Sequence, residues 1–172
     1  LMVQGTDGTD DLQGGALADT LIGYGGVGDQ LAGGAGNDSI LAGGGIVTEN
    51  ALLLGEGGND SLRLGVGDGL LDGGAGNDRL EVVSPNGAAM LQGGAGDDWL
   101  RVEGGSALVD GGSGNDLLEI DLSMIFLPIE AESFGDGSGW MAGQGRALDY
   151  TGIEPLVLRR GFDNDTRLGG TG

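Results

Sequence analysis

The sequence predicts an all-β fold: a parallel β-helix solenoid of about six 18-residue coils, followed by a β-rich C-terminal cap. Three observations predict it. A nine-residue unit reading glycine-glycine-x-glycine-x-aspartate-x-aliphatic-x occupies residues 73–81, with near-copies beginning at Gly33, Gly55, Gly93 and Gly111 and a weaker one at Gly14. An aliphatic residue at the eighth place recurs at Leu12, Leu21, Leu31, Ile40, Leu53, Leu62, Leu71, Leu80, Leu91, Leu100, Val109 and Leu118, with spacings of 9, 10, 9, 13, 9, 9, 9, 11, 9, 9 and 9. Glycine makes up 42 of 172 residues without the three-residue period or the proline of collagen, and the scheduled aliphatics set the chain apart from a flexible linker. A short fixed period is the signature of stacked units, none of which buries its apolar face alone.

From Gly5 to Glu119 each nonapeptide reads as one half-turn. Its glycines let a tight loop take positive φ, and the x-aliphatic-x segment that follows is a short strand whose middle side chain points inward. Stacking pairs each strand with the one a coil away, roughly 4.8 Å distant, so two facing columns of aliphatics are expected as the core. The extra residues are loop insertions: one near Gly23, four within 43–50 and two near Ser84, Pro85 and Asn86. Units alternate in character. Those beginning at Gly14, Gly33, Gly55, Gly73, Gly93 and Gly111 carry Asp at the sixth place, as Asp19, Asp38, Asp60, Asp78, Asp98 and Asp116. The interleaved units keep it only as Asp10 and Asp29, and later ones have Gly69 or Ala107 there. The full repeat is therefore eighteen residues, acidic along one edge throughout and along the other only at its start. The ninth places of successive acidic-edge units hold Arg63, Glu81, Arg101 and Glu119, which in register predict an outward ladder of alternating charge.

The regular pattern ends at Glu119, dividing the chain into a repeat domain, 1–119, and a capping segment, 120–172. The latter holds Phe126, Phe134, Trp140, Tyr150 and Phe162, five of the seven aromatics. A solenoid end exposes a strand edge and a cross-section of core, and both need cover. Within this segment 120–129 is apolar and 134–145 is a glycine-rich loop. Residues 147–158 read as a strand pair around Gly152-Ile153-Glu154-Pro155, and 161–166 resemble the start of a further repeat.

The residues that are missing narrow the chemistry. There is no Cys, His or Lys, hence no thiol nucleophile, imidazole base, Schiff-base lysine or ordinary zinc site. A net charge of −20 argues against nucleic acid as a partner, and no apolar run approaches the ~18 residues that span a membrane. No signal peptide opens the chain at Leu1, and repeat-like sequence at both ends reads as a fragment of something larger. The acid pairs Glu130/Glu132 and Asp163/Asp165 have the residue type for glycosidase chemistry, but in so acidic a chain they read as solvated carboxylates. The chain reads as non-catalytic.

The six sixth-place aspartates would stack one coil apart, where bare carboxylates repel strongly. A cation between each pair relieves that repulsion. The donors on offer are all oxygen: one carboxylate and about two loop carbonyls from each neighbouring coil, a set that favours Ca²⁺ over Mg²⁺. About four to five ions are expected along the acidic edge, with room for one more between the Asp10 and Asp29 loops.

Over residues 5–119 the units resemble the RTX (repeats-in-toxin) nonapeptide. The resemblance implies a right-handed parallel β-roll, disordered without calcium and folded with it. It also implies a ligand scheme: carbonyls of places one and three serve one ion, those of places two and four serve its neighbour, and the Asp serves both. Carried over, the ligands are Gly33, Gly34, Ala35 and Gly36 with Asp38, and Gly55, Glu56, Gly57 and Gly58 with Asp60. They continue with Gly73, Gly74, Ala75 and Gly76 with Asp78, then Gly93, Gly94, Ala95 and Gly96 with Asp98. Gly111, Gly112, Ser113 and Gly114 with Asp116 complete the strong units, and Gly14 and Ala16 with Asp19 form the weak end. Three departures stand out: Leu17 at a fourth place, Glu56 at a second place, and the loss of acids after Asp29 on the other edge. Members of the family include toxins, proteases, lipases, epimerases, surface-layer proteins and adhesins. The expectation is a secreted or cell-surface structural module whose partners are calcium ions and neighbouring domains of its own polypeptide. A second reading makes Trp140 and Tyr150 a sugar- or partner-binding patch rather than cap core.

Overall fold

The computed structural model describes residues 1–44, 50–83, 88–122, 130–143 and 146–159 and the backbone of 169–170. The insertions at 45–49 and 84–87, the apolar stretch 123–129, and 161–166 with Asp163 and Asp165 lie outside the described residues. The chain is an all-β parallel solenoid of about six turns. Among the described residues no helix is long and apolar enough to cross a membrane.

Strands alternate between two sheets. One contains β1 (Met2–Gln4), β3 (Thr20–Tyr24), β5 (Ser39–Ala42), β7 (Ser61–Leu64), β9 (Arg79–Val83), β11 (Trp99–Glu103) and β13 (Leu117–Asp121). The other contains β2 (Asp11–Gln13), β4 (Gln30–Ala35), β6 (Asn50–Gly57), β8 (Asp68–Ala75), β10 (Ala88–Ala95) and β12 (Ser106–Ser113). Neighbours are parallel, and their register follows the eighth-place aliphatics. Leu62 pairs with Leu80, Leu80 with Leu100 and Leu100 with Leu118; on the other sheet Leu71, Leu91 and Val109 align. All twelve are buried.

The core is wider than the expected two columns. Strand side chains alternate in and out, so the residue two places from each eighth-place aliphatic also faces inward. Ala42, Leu64, Val82, Val102 and Ile120 make a third buried column, and Ala51, Ala89 and Ala107 belong to a fourth. Strands longer than x-aliphatic-x account for the difference: β6, β8, β10 and β12 each run eight residues. The fourth column occupies the sixth place of the non-acidic edge. That place is therefore interior on both edges of the roll.

Stacking continues past Glu119. β16 (Arg146–Thr151) pairs parallel with β12, and β17 (Leu156–Arg159) pairs parallel with β13. The strand pair read in 147–158 thus lies on opposite sheets and makes a further coil rather than a hairpin. Leu148 and Tyr150 extend the buried columns beside Ala107 and Val109. β15 (Gly139–Gly143) runs antiparallel along β16, β14 (Glu130–Ser133) antiparallel along β15, and β18 (Gly169–Gly170) parallel to β14. These strands cover the edge that the stack would expose.

The outward charge ladder is present. Arg101 reaches Glu81 at 2.7 Å and Glu119 at 3.5 Å, and Arg63 reaches Glu81 at 3.8 Å. Arg159 of β17 adds a rung at Glu119.

Candidate metal centre

Each strong acidic-edge loop turns through two left-handed residues. Places two and four have φ of +94° and +132° at Gly74 and Gly76, and +108° and +132° at Gly94 and Gly96. Glycine is demanded here because a Cβ is disfavoured at positive φ. Glu56 takes the same conformation, at +68°, without being glycine, and its carbonyl oxygen still packs against Gly74 of the next coil. The loop at 14–19 departs: Leu17 stands at the fourth place, and positive φ is absent from its described residues.

This turn delivers the sixth-place aspartates into the interior, where Asp38, Asp60, Asp78, Asp98 and Asp116 are only 1–3% exposed. Each Oδ1 accepts the backbone N–H of the aspartate one coil earlier. Asp38 accepts from Asp19, Asp60 from Asp38 and Asp78 from Asp60 at 2.7 Å, Asp98 from Asp78 at 2.8 Å, and Asp116 from Asp98 at 2.9 Å. Each Oδ2 is buried without a hydrogen-bond partner. Desolvation pushes Asp60, Asp78 and Asp98 up to about 6 against the opposing pull of those N–H bonds, and it raises Asp116 as well. A buried carboxylate oxygen with nothing bonded to it needs either a proton or a cation.

The unpartnered oxygens face a recurring space. A Cβ at Gly73 would stand 2.6 Å from Asp78 Oδ2 and 2.5 Å from the carbonyl oxygen of Gly93 in the next coil. At Gly93 both distances, to Asp98 Oδ2 and the Gly111 carbonyl, would be 2.4 Å; at Gly55 they would be 2.5 Å to Asp60 Oδ2 and 2.4 Å to the Gly73 carbonyl. The first-place glycine thus leaves room where a carboxylate oxygen of one coil meets a carbonyl of the next. Third-place carbonyls are already half used: those of Gly57, Ala75, Ala95 and Ser113 accept the fourth-place N–H of the coil before at 2.8 Å, each retaining a second lone pair. Among the described residues no three acidic side chains are grouped so as to hold a metal ion by themselves, so most donors to an ion would be carbonyls. A donor set made only of oxygens, with at least one carboxylate per gap, fits Ca²⁺.

The weak end differs. Asp19 Oδ2 accepts the Gly15 N–H at 2.6 Å. The Oδ2 that is left over at Asp38 is thus occupied at Asp19. On the opposite edge Asp29 repeats the pattern of the strong units: Oδ1 accepts the Asp10 N–H at 3.0 Å, Oδ2 is buried and unpartnered, and desolvation raises its pKa. The Asp10 carboxylate is occupied by the Thr6 N–H at 2.7 Å. Further along that edge the interior sixth place is held by Ala51, Gly69, Ala89 and Ala107. An interior alanine needs no partner, whereas an interior aspartate does.

Two features escape the sequence reading. The fifth places form their own ladder: Asn59 N–H donates to Asn37 Oδ1 and Asn77 N–H to Asn59 Oδ1 at 2.9 Å, Asp97 N–H to Asn77 Oδ1 at 3.1 Å, and Asn115 N–H to Asp97 Oδ1 at 2.9 Å. It runs in the opposite direction to the sixth-place ladder, and the recurrence of Asn or Asp at that place was its signal. The second feature concerns the aromatics. Tyr150 is buried in the core, while Trp140 pairs across the sheet with Asp149 and so faces the other side of β15–β16. They do not form one patch.

A family model described as the RTX calcium-binding nonapeptide repeat matches the chain in four copies, over residues 4–27, 28–46, 49–80 and 86–118. Comparison with curated proteins gave no match.

Proposed function

The chain belongs to the family of RTX calcium-binding nonapeptide repeats, and from that premise we propose that it is a calcium-dependent folding and structural module of a larger secreted protein. One observation carries this reading. Five stacked aspartates each bury an oxygen with no partner, while the equivalent places opposite, beyond Asp29, are alanine or glycine. Without a cation the acidic edge disfavours the fold, and the whole solenoid depends on that edge because every coil passes through it. Bound calcium supplies the positive charge that lets those carboxylates remain ionised in the interior. The aspartates hold their coils in register through the Oδ1 bonds, and the first-place glycines keep the carbonyls within reach.

The consequence is linkage: the chain is expanded where calcium is scarce and folds at ~10⁻⁴–10⁻³ M, the range of extracellular modules. An expanded chain suits export, and the folded one suits a spacer or stabiliser beside the toxin, adhesin, surface-layer or enzyme domains of a parent protein. The module itself is non-catalytic in this reading. Circular dichroism in calcium and in excess chelator tests it. β-Sheet signal should vanish with chelator; an unchanged spectrum would sink the proposal.

A further inference from the structure

We propose that the outer face of the sheet holding β6, β8, β10 and β12 is a docking surface for a partner protein, which lays a cationic amphipathic helix across the strands. Behind it stands a row of apolar side chains that the core does not use. Leu52, Leu70, Met90 and Leu108 pair in register from strand to strand. Each directly precedes a fully buried eighth-place residue, so strand alternation turns it outward. Met90 is 39% and Leu108 47% exposed. Leu54 lies on the same face, two places after Leu52. Beyond Leu108 the row continues through Asp149 of β16 to Trp140 of β15. Single apolar residues are ordinary on a surface, but four aligned across adjacent strands make a stripe.

The rim of the stripe is acidic. Asp68 flanks it on one side, Asp72 and Asp110 flank it on the other, and Asp149 interrupts it before Trp140. Among the described residues no arginine points outward here. Arg63, Arg79, Arg101 and Arg159 belong to strands of the opposite sheet, and Arg146 lines a cavity with Ile120 and Met141. That distribution selects the occupant. A second copy laid face to face would set these aspartates against their own counterparts, on chains of net charge −20. The opposite face of a second copy serves no better, because Arg101 is committed to Glu81, Glu103, Glu119 and Asp121, and Arg159 to Glu119. With no Lys and seven Arg, the chain supplies no strongly cationic segment of its own. A partner whose apolar side chains are flanked by Lys or Arg answers both the stripe and its rim.

Spacing selects the secondary structure of that partner. Neighbouring strands lie about 4.8 Å apart, and one turn of an α-helix rises about 5.4 Å. Apolar residues one turn apart on a helix therefore meet successive members of the row, with little slip over four strands. An extended segment repeats on one face about every 6.8 Å and loses step after two. From Leu52 to Trp140 the row crosses five strand spacings, about 24 Å, which is the length of about 16 helical residues. A helix of that size buries its apolar stripe on the sheet and places its basic flanks over Asp68 on one side and Asp72 and Asp110 on the other.

The test titrates the full chain, in saturating calcium, with a synthetic peptide of about 18 residues that carries Leu along one helical face and Lys on its flanks. With isotope-labelled methionine methyl groups, the Met90 resonance should move on binding while that of Met141, buried in the core, stays in place. A Met90→Gln, Leu108→Gln double variant should bind at least about tenfold more weakly, with its circular dichroism in calcium unchanged. Equal affinity of that folded variant overturns the proposal. Should the variant fail to fold, the parent chain decides, and a Met90 methyl that does not respond to saturating peptide is fatal to it. A scrambled peptide of the same composition that binds equally well reduces the contact to bulk charge attraction, and dimers of the chain alone in sedimentation assign the face to a second copy; either result also overturns the proposal.

Discussion

Asp78 connects three coils. Its Oδ1 accepts the N–H of Asp60, its own N–H donates to Asp98, and its Oδ2 lies beside the space bounded by Gly73 and the Gly93 carbonyl. Removing the carboxylate removes a wall common to two gaps. Asp78→Ala should therefore lose about two ions in isothermal titration, where an end residue of the stack would lose fewer. Retention of every ion would show that the sixth-place carboxylates are not ligands. The identity of this residue was legible in the sequence because the same glycine frame precedes Asp in every strong unit. Which of its oxygens is left over was not, because that depends on an N–H contributed by Asp60, eighteen residues away in the chain.

Single strands explain the asymmetry of the two edges. β10 places Ala89 between Gly69 of β8 and Ala107 of β12, all at sixth places of the edge that has lost its acids. An aspartate there would be a buried charge without a cation. Ala89→Asp should cost about 3 kcal/mol in a thermal melt run in saturating calcium, and a neutral result would mean that the edge still binds an ion. On the outer face β11 presents Arg101 to four carboxylates: Glu81 at 2.7 Å, Glu103 at 3.2 Å, Glu119 at 3.5 Å and Asp121 at 3.1 Å. Arg101→Met leaves those acids facing one another and should destabilise the roll by about 1–2 kcal/mol in low salt, with the loss shrinking near 1 M salt as the repulsion is screened. An effect independent of salt would assign the loss to packing instead. The alternation of Arg and Glu at the ninth places was readable from the repeat; the contribution of Asp121 and Arg159 was not, since both follow Glu119, where the repeat pattern ends in the sequence.

For the molecule as a whole, protons and calcium compete for the same interior carboxylates. In the ion-free fold Asp60, Asp78 and Asp98 rise from 3.8 to about 6. A group that binds its proton more tightly when folded lends stability that is full below pH 3.8 and lost as pH rises through about 6. In calcium-depleted buffer the chain should accordingly gain β-sheet signal on acidification from pH 7 to below 4, helped by the fading of a net charge of −20. In the presence of calcium the midpoint of ion-induced folding should move to higher calcium as pH falls below about 6. A midpoint that ignores pH across that window would count against interior carboxylates as the coupling groups.

The amino-acid sequence by itself determined the period, the register of the two sheets, the acidic edge and the outward charges from Arg63 to Glu119. Those properties are local: positive φ asks for glycine, alternation sets which side chain points inward, and repetition multiplies both signals. Tertiary structure alone decided how the chain continues after the repeats. β16 reaches back to β12 across about forty residues, with Ala147 N–H bonding Ser106 Oγ and Thr151 Oγ1 bonding Asp110 Oδ1 at a separation of 41. The pairing is set by the fit of Leu148 and Tyr150 onto the open end of the core, a surface that exists only once the coils beneath it have stacked. No local pattern in 146–159 encodes that surface, so the extra coil became visible only in three dimensions.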